Sequence, residues 1–150
     1  MVLHLATEVE KKLQTGEKTA LFVVDNDDLR REKIATLFLT TGLYEMSSCK
    51  QSAEAIRRLE NGEKPAVMLL NHHLEGKNGI QTIHILRKKG IPQPTVVYGH
   101  TRGSELLKEY FNTNFVYYFV RDPVRGYDIM DCVEKTINGI RPKSLDEFIA

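Results

Sequence analysis

Four short polar clusters hold the side chains best suited to chemistry: Asp25-Asn26-Asp27, Asn71-His72-His73, Gly99-His100-Thr101 and Arg121-Asp122. Carboxylates and amide oxygens suit hard cations, and imidazoles suit zinc and its neighbours. His73, His100 and Asp27 are therefore candidate contacts for a metal or a small ligand, with His72 beside them. The plainer alternative is that they are loop residues with ordinary polar partners. Nucleotide chemistry fits poorly: no GxxxxGK(S/T) segment occurs, and the turn after Val24 is acidic where a phosphate cradle wants glycine and hydroxyls. A serine hydrolase would need a GxSxG elbow, which is absent, and no nucleophile–base pair is recognisable. The chain reads as a non-enzyme with no cofactor.

Each cluster follows an apolar stretch, so the strands that position the clusters give them a common address. Ala20 to Val24, Ala66 to Leu70 and Thr95 to Tyr98 are short apolar runs, the pattern of parallel strands covered on both faces. Leu43 to Cys49 is a weaker strand placed nearer an edge, and Phe115 to Val120 is the last. Helical spacing separates them. Ile34, Leu37 and Phe38 share a face, as do Ala55, Ile56 and Leu59 behind a Ser52 cap, and Ile80, Ile83 and Leu86 behind Gly79. Ser104 is the cap expected before Leu107, Tyr110 and Phe111. After Asp122-Pro123, Tyr127, Met130, Val133 and Ile137 form the expected inward stripe. This alternation predicts an α/β fold, a doubly wound five-stranded parallel sheet with helices on both faces. In such sheets sites gather outside the C-terminal strand ends, where all four clusters fall.

The chain divides into a helical extension over 1–18, a domain over 19–141 and a tail over 142–150. Leu5, Val9 and Leu13 share one face of the extension, and Ser144 is placed to cap a last turn in the tail. At 150 residues, 41% apolar and 27% charged, the chain suits one buried core. A net charge of +1 gives no general attraction to nucleic acid or to a membrane surface. The basic runs Arg30-Arg31, Arg57-Arg58 and Arg87-Lys88-Lys89 read as solvated helix faces, and His4 and His84 as surface residues. Cys49 and Cys132 are far apart in apolar segments, which suits buried thiols and a cytoplasmic setting. No membrane-length apolar run occurs.

Leu21-Phe22-Val23-Val24-Asp25-Asn26-Asp27 resembles the first strand and acidic turn of response-regulator receiver domains. Pro65 to Leu70 followed by Asn71-His72-His73-Leu74-Glu75-Gly76-Lys77-Asn78-Gly79 resembles their third strand and phosphorylation loop, with the spacing to Gly79 kept. Gly42-Leu43-Tyr44-Glu45-Met46 and Ala53-Glu54-Ala55-Ile56 resemble the entry to the second strand and the helix after it. The resemblance covers roughly residues 19 to 140 and implies the CheY-like, flavodoxin-like three-layer sandwich.

Carried over by position, the resemblance implies a degenerate pocket. Asp25 retains the first acid of the metal-binding pair; Asn26 replaces the second with a neutral amide, and Asp27 is a carboxylate displaced by one place. Asn71 stands where the phosphorylated aspartate belongs, and His73 where a backbone carbonyl binds metal. Gly99, next to His100, replaces the hydroxyl residue that senses phosphate. Either Asp122 or Arg121 replaces the lysine before the family's proline, which places Phe119 or Tyr118 respectively at the switch aromatic. Arg121 is then a candidate partner for Asp25. The implied role is a phosphorylation-independent signalling module acting through a protein partner or a homodimer. Its interaction face spans about 104–137, with Tyr110, Tyr117, Tyr118 and Tyr127 as candidate anchors. A ligand- or metal-sensing pocket is the alternative.

Overall fold

The structure, a computed structural model, describes residues 16–101 and 103–150. The expected helix carrying Leu5, Val9 and Leu13, and His4 with it, lies outside the described residues. Strands β1 (Thr19–Val24), β2 (Tyr44–Cys49), β3 (Val67–Asn71), β4 (Thr95–Gly99) and β5 (Val116–Arg121) are all parallel, in the order β2-β1-β3-β4-β5. Helices α1 (Asp28–Leu39), α2 (Ser52–Glu60), α3 (Gly79–Lys88), α4 (Ser104–Asn112) and α5 (Gly126–Ile137) follow the strands in turn, and a short α6 (Leu145–Phe148) ends the chain. The sheet is doubly wound, and β2, the strand with the weakest apolar pattern, lies at one edge.

Strand periodicity of two divides the core into two clusters. Leu21, Val23, Leu69, Val96, Tyr98 and Val120 pack with Ile34 and Phe38 of α1 and Ile129 and Val133 of α5. Phe22, Met68, Leu70, Val97 and Phe119 pack with α2, α3 and α4. Both sheet faces are therefore covered, which is why the central strands show no polar alternation.

Two local expectations change. The buried stripe of α5 is Ile129, Cys132, Val133 and Thr136, rotated from the expected one, and Tyr127 is 81% exposed. Burying Thr136 is possible because its hydroxyl donates to Cys132 O at 2.7 Å, so no polar group is stranded. Ser52 and Ser104 are the first helical residues rather than caps. The positions before them, Gln51 and Gly103, make no side-chain cap bond. Ser52 Oγ is instead buried 2.6 Å from Thr82 Oγ1, joining α2 to α3. Side-chain caps do form at Asp27, Asn78 and Ser144.

The candidate interface tyrosines separate by burial. Tyr110 and Tyr118 are core residues, at 0% and 3% exposure. Tyr117 is half-buried beneath the Arg141 guanidinium, 4.2 Å from its ring centre. It is the extra residue where β5 shifts register, since Thr95 pairs Val116 and Val96 pairs Tyr118.

The tail packs on the sheet. Phe148 is fully buried with its ring 5.3 Å from that of Phe111, and Ile149 bridges Phe119 in parallel. β5 is the outer strand, so this segment covers part of its free edge.

Candidate functional site

Asp25 is the first residue after β1, Asn71 ends β3 and Tyr98 lies in β4. Their parity puts all three side chains on the α1/α5 face. Register aligns them: Val24 pairs Leu70, and Asn71 pairs Tyr98. They converge on one carboxylate, fully buried at Asp25. Its Oδ1 accepts from Arg30 Nη2 at 2.9 Å and from the Asp27 amide at 2.9 Å. Its Oδ2 accepts from Arg30 Nε at 2.6 Å, Tyr98 OH at 2.5 Å and Asn71 Nδ2 at 3.2 Å. Arg31 Nη1 donates to the Asp25 carbonyl at 2.7 Å.

Burial alone would raise the Asp25 carboxyl. The hydrogen bonds from Arg30, Tyr98 and the Asp27 amide, with the Arg30 charge, outweigh it and hold the group below its ordinary 3.8. Tyr98 is driven far above its usual range by burial and then by the Asp25 charge, so its hydroxyl stays a donor. The Asn71 amide is used at both ends, because its Oδ1 accepts from His73 N at 2.6 Å.

The expected Arg121–Asp25 pair does not form. Arg121 is exposed at the end of β5, and the cation on Asp25 is Arg30, one turn into α1. The reason is reach: Asp27 accepts from Arg30 N at 2.8 Å as the cap of α1, and that places the arginine stem beside the strand end. The cap also employs Asp27, the displaced carboxylate considered as a ligand. Arg30-Arg31 is thus not merely a solvated face.

The space beside Gly99 is filled by histidines. Gly99 has φ +150°, and a Cβ there would lie 3.3 Å from both His72 Cβ and His73 Cδ2. His73 Nε2 is 2.7 Å from the His100 carbonyl oxygen, so the contact between these residues is ring to backbone. His72 is buried, with Nδ1 2.6 Å from Tyr110 OH. Burial, and then the charge of His73, push His72 down to about 4. A Cβ at Gly79 would collide with the same Tyr110 hydroxyl, which gives that glycine a packing reason here. Asp122 N donates to Gly99 O at 3.0 Å, and its side chain, like that of His100, is exposed.

The residues do not fit a hard divalent cation. Asn26 is neutral, and both Asp25 oxygens are already met by a guanidinium, a phenol and amides. Among the described residues no group of three or more His, Cys, Asp or Glu side chains is placed to hold a metal. Asn26 Oδ1 is buried without a hydrogen-bond partner among them.

Two members of the site, Arg30 and Tyr98, were not singled out by sequence. Tyr98 lies inside an apolar run and looks like core, and Arg30 lies in a basic pair that looks like surface. The usable signals were parity with Asn71 for the first and the turn from Asp25 into α1 for the second.

The response regulator receiver domain family matches residues 21–134. No curated protein matches the sequence. The fold is similar to that of a Francisella response regulator receiver domain, with TM-score 0.74 and 19% identity over 83% of this chain and 100% of that one. It is similar also to a LuxR-family two-component response regulator from Aurantimonas, with TM-score 0.74 and 20% identity over 87% and 93%. A CheY-like receiver domain protein from Methanospirillum hungatei gives TM-score 0.73 and 14% identity over 83% and 97%. Identities this low speak for the fold alone. Among the described residues no helix is long and apolar enough to cross a membrane.

Proposed function

The chain belongs to the response regulator receiver domain family, and from that membership we propose a receiver-like signalling module that works without phosphorylation, through contact with a protein partner or a second copy of itself. The observation behind this reading is the Asn71 amide, which donates to Asp25 and accepts from His73 N. An aspartyl phosphate needs a carboxylate nucleophile at that position, and an amide supplies none.

The neighbours support the same reading. Arg30 neutralises Asp25 from within the chain, where a phosphorylatable pocket draws a cation from solution. Gly99 offers no hydroxyl to a phosphoryl group, and the His72 and His73 side chains crowd its place. With an amide at the acceptor position, Arg30 on Asp25 and no hydroxyl at Gly99, the surface is the part of the domain we assign to act. We assign this role to the domain over 19–141, with 1–18 and 142–150 as flanking segments.

Incubation with Mg²⁺ and a small phosphodonor, followed by intact mass measurement, tests the reading. The expected result is an unchanged mass; a stable gain of one phosphoryl group would overturn it.

A further inference from the structure

The outer edge of β5 is covered by the chain's own tail, and the cover is a built site with two parts. One is a hole: the Phe148 ring is fully buried beside Phe111, with Leu145 and Ile149 packed against the same core cluster. The other is backbone pairing. Ala150 N donates to Phe119 O at 2.8 Å, and Arg121 N donates to Ala150 O at 3.0 Å.

The connector is fastened upstream and short. Tyr118 OH donates to Ile140 O at 2.9 Å, and Arg141 Nη1 donates to Asn114 O at 2.8 Å while stacking on Tyr117. Between Arg141 and the Ser144 cap lie Pro142 and Lys143 alone. None of the contacts made by residues 145–150 requires the tail to belong to the strand it covers. An identical segment from another molecule, carrying its own Lys143 and Ser144, would make them all, and exchange of an identical element is a low-cost route to dimers.

We propose that the β5 edge is a docking site for residues 145–150 of a second copy of this chain, two copies exchanging tails reciprocally. The segment seated there is the one whose fit the structure displays, and reciprocal exchange closes as a two-fold dimer. The proposal deepens the interaction reading above by naming the partner, and it rests on that reading for the role of the surface. A short tether presents its own tail at an effective concentration of about millimolar. Closed monomers therefore dominate at micromolar concentration, and exchange grows toward millimolar.

The test is the mass of the full chain by light scattering at about 10 µM and about 1 mM, on either side of most of that range. The expected result is a monomer at the lower concentration and a dimer at the higher one. A folded Phe148→Asp variant, checked by circular dichroism, is expected to stay monomeric at both. A wild-type chain that is monomeric at both concentrations overturns the proposal, as does a dimer that survives Phe148→Asp. If that variant unfolds, deletion of Pro142 and Lys143 takes its place. Removing about 7 Å of reach prevents closure within one chain, so this variant should be a dimer at micromolar concentration, and a folded monomer overturns the proposal. The phosphodonor experiment is blind to tail exchange, so either reading can fail without the other.

Discussion

Asn71 Nδ2 lies 3.2 Å from Asp25 Oδ2, a donor facing the carboxylate at the point where receiver domains carry a second acid. Asn71→Asp would replace that hydrogen bond with two carboxylates in contact, and like charges so close cannot both ionise freely. We expect the variant to lose about 1–3 kcal/mol near neutral pH, the cost of a broken buried hydrogen bond, and to recover part of it on mild acidification as one carboxyl takes a proton. Urea unfolding at two pH values reads both effects. We also expect no phosphorylation, because Arg30 and Gly99 are unchanged; a phosphorylated Asn71→Asp chain would show that the acceptor was the sole defect.

Arg30→Gln should destabilise the fold by leaving the Asp25 carboxylate without its cation. Removing one partner of a fully buried pair costs about 3–5 kcal/mol. Arg30 is 38% exposed, so water relieves part of the loss, and about 2 kcal/mol is expected. Adding Asp25→Asn should restore much of it by removing the orphaned charge. If the double variant is as unstable as the sum of the singles, the two residues are not coupled. The wild-type thermal midpoint should not differ between a chelator and excess Mg²⁺, since a ligand that does not bind cannot stabilise.

Gly99→Ser restores a hydroxyl at the sensor position but should not be tolerated. The backbone at φ +150° disfavours any side chain, and the new Cβ would press on His72 and His73. A loss of about 1–3 kcal/mol is expected. His73→Ala in the same chain should relieve the part of the loss due to the His73 ring and leave the His72 contact and the backbone share, which chemical denaturation of the three variants reads.

His72 makes stability fall with acid. An unfolded imidazole titrates near 6.5, whereas the folded His72 is held down to about 4. Its contribution is therefore complete above pH 6.5 and declines as pH falls toward 4, because the unfolded chain takes the proton first. The full effect is at most about 3 kcal/mol. His72→Asn keeps an acceptor near Tyr110 OH but does not titrate there. Urea unfolding between pH 7 and pH 4 should show a shallower decline for the variant, and equal slopes would assign the acid sensitivity elsewhere.

The sheet was legible in the sequence because continuous apolar runs, helical spacing and turn residues all agree on one alternation. The polar clusters were legible because strand ends in this topology share an edge. Their partners were not. Asp25 takes Arg30, five residues on, and Tyr98, seventy-three residues on, and neither choice is encoded by residue type. A guanidinium on a helix reads as surface until the cap at Asp27 fixes where the helix begins. The rotation of α5 is hidden in the sequence for a related reason: Tyr127 is apolar enough to count as inward, while Thr136 becomes inward only when its hydroxyl finds Cys132 O. The tail's place was hidden because Phe148-Ile149 has no periodicity of its own and gains meaning only from the uncovered edge of β5.

Arg30 is covalently tied to the carboxylate it neutralises. A soluble ion arrives, leaves and can be withheld, so a pocket that depends on one reports on its surroundings. A guanidinium held five residues from its carboxylate cannot be diluted, chelated or outcompeted by a change in supply. The charge on Asp25 is thereby balanced by the chain itself, whatever ions surround it.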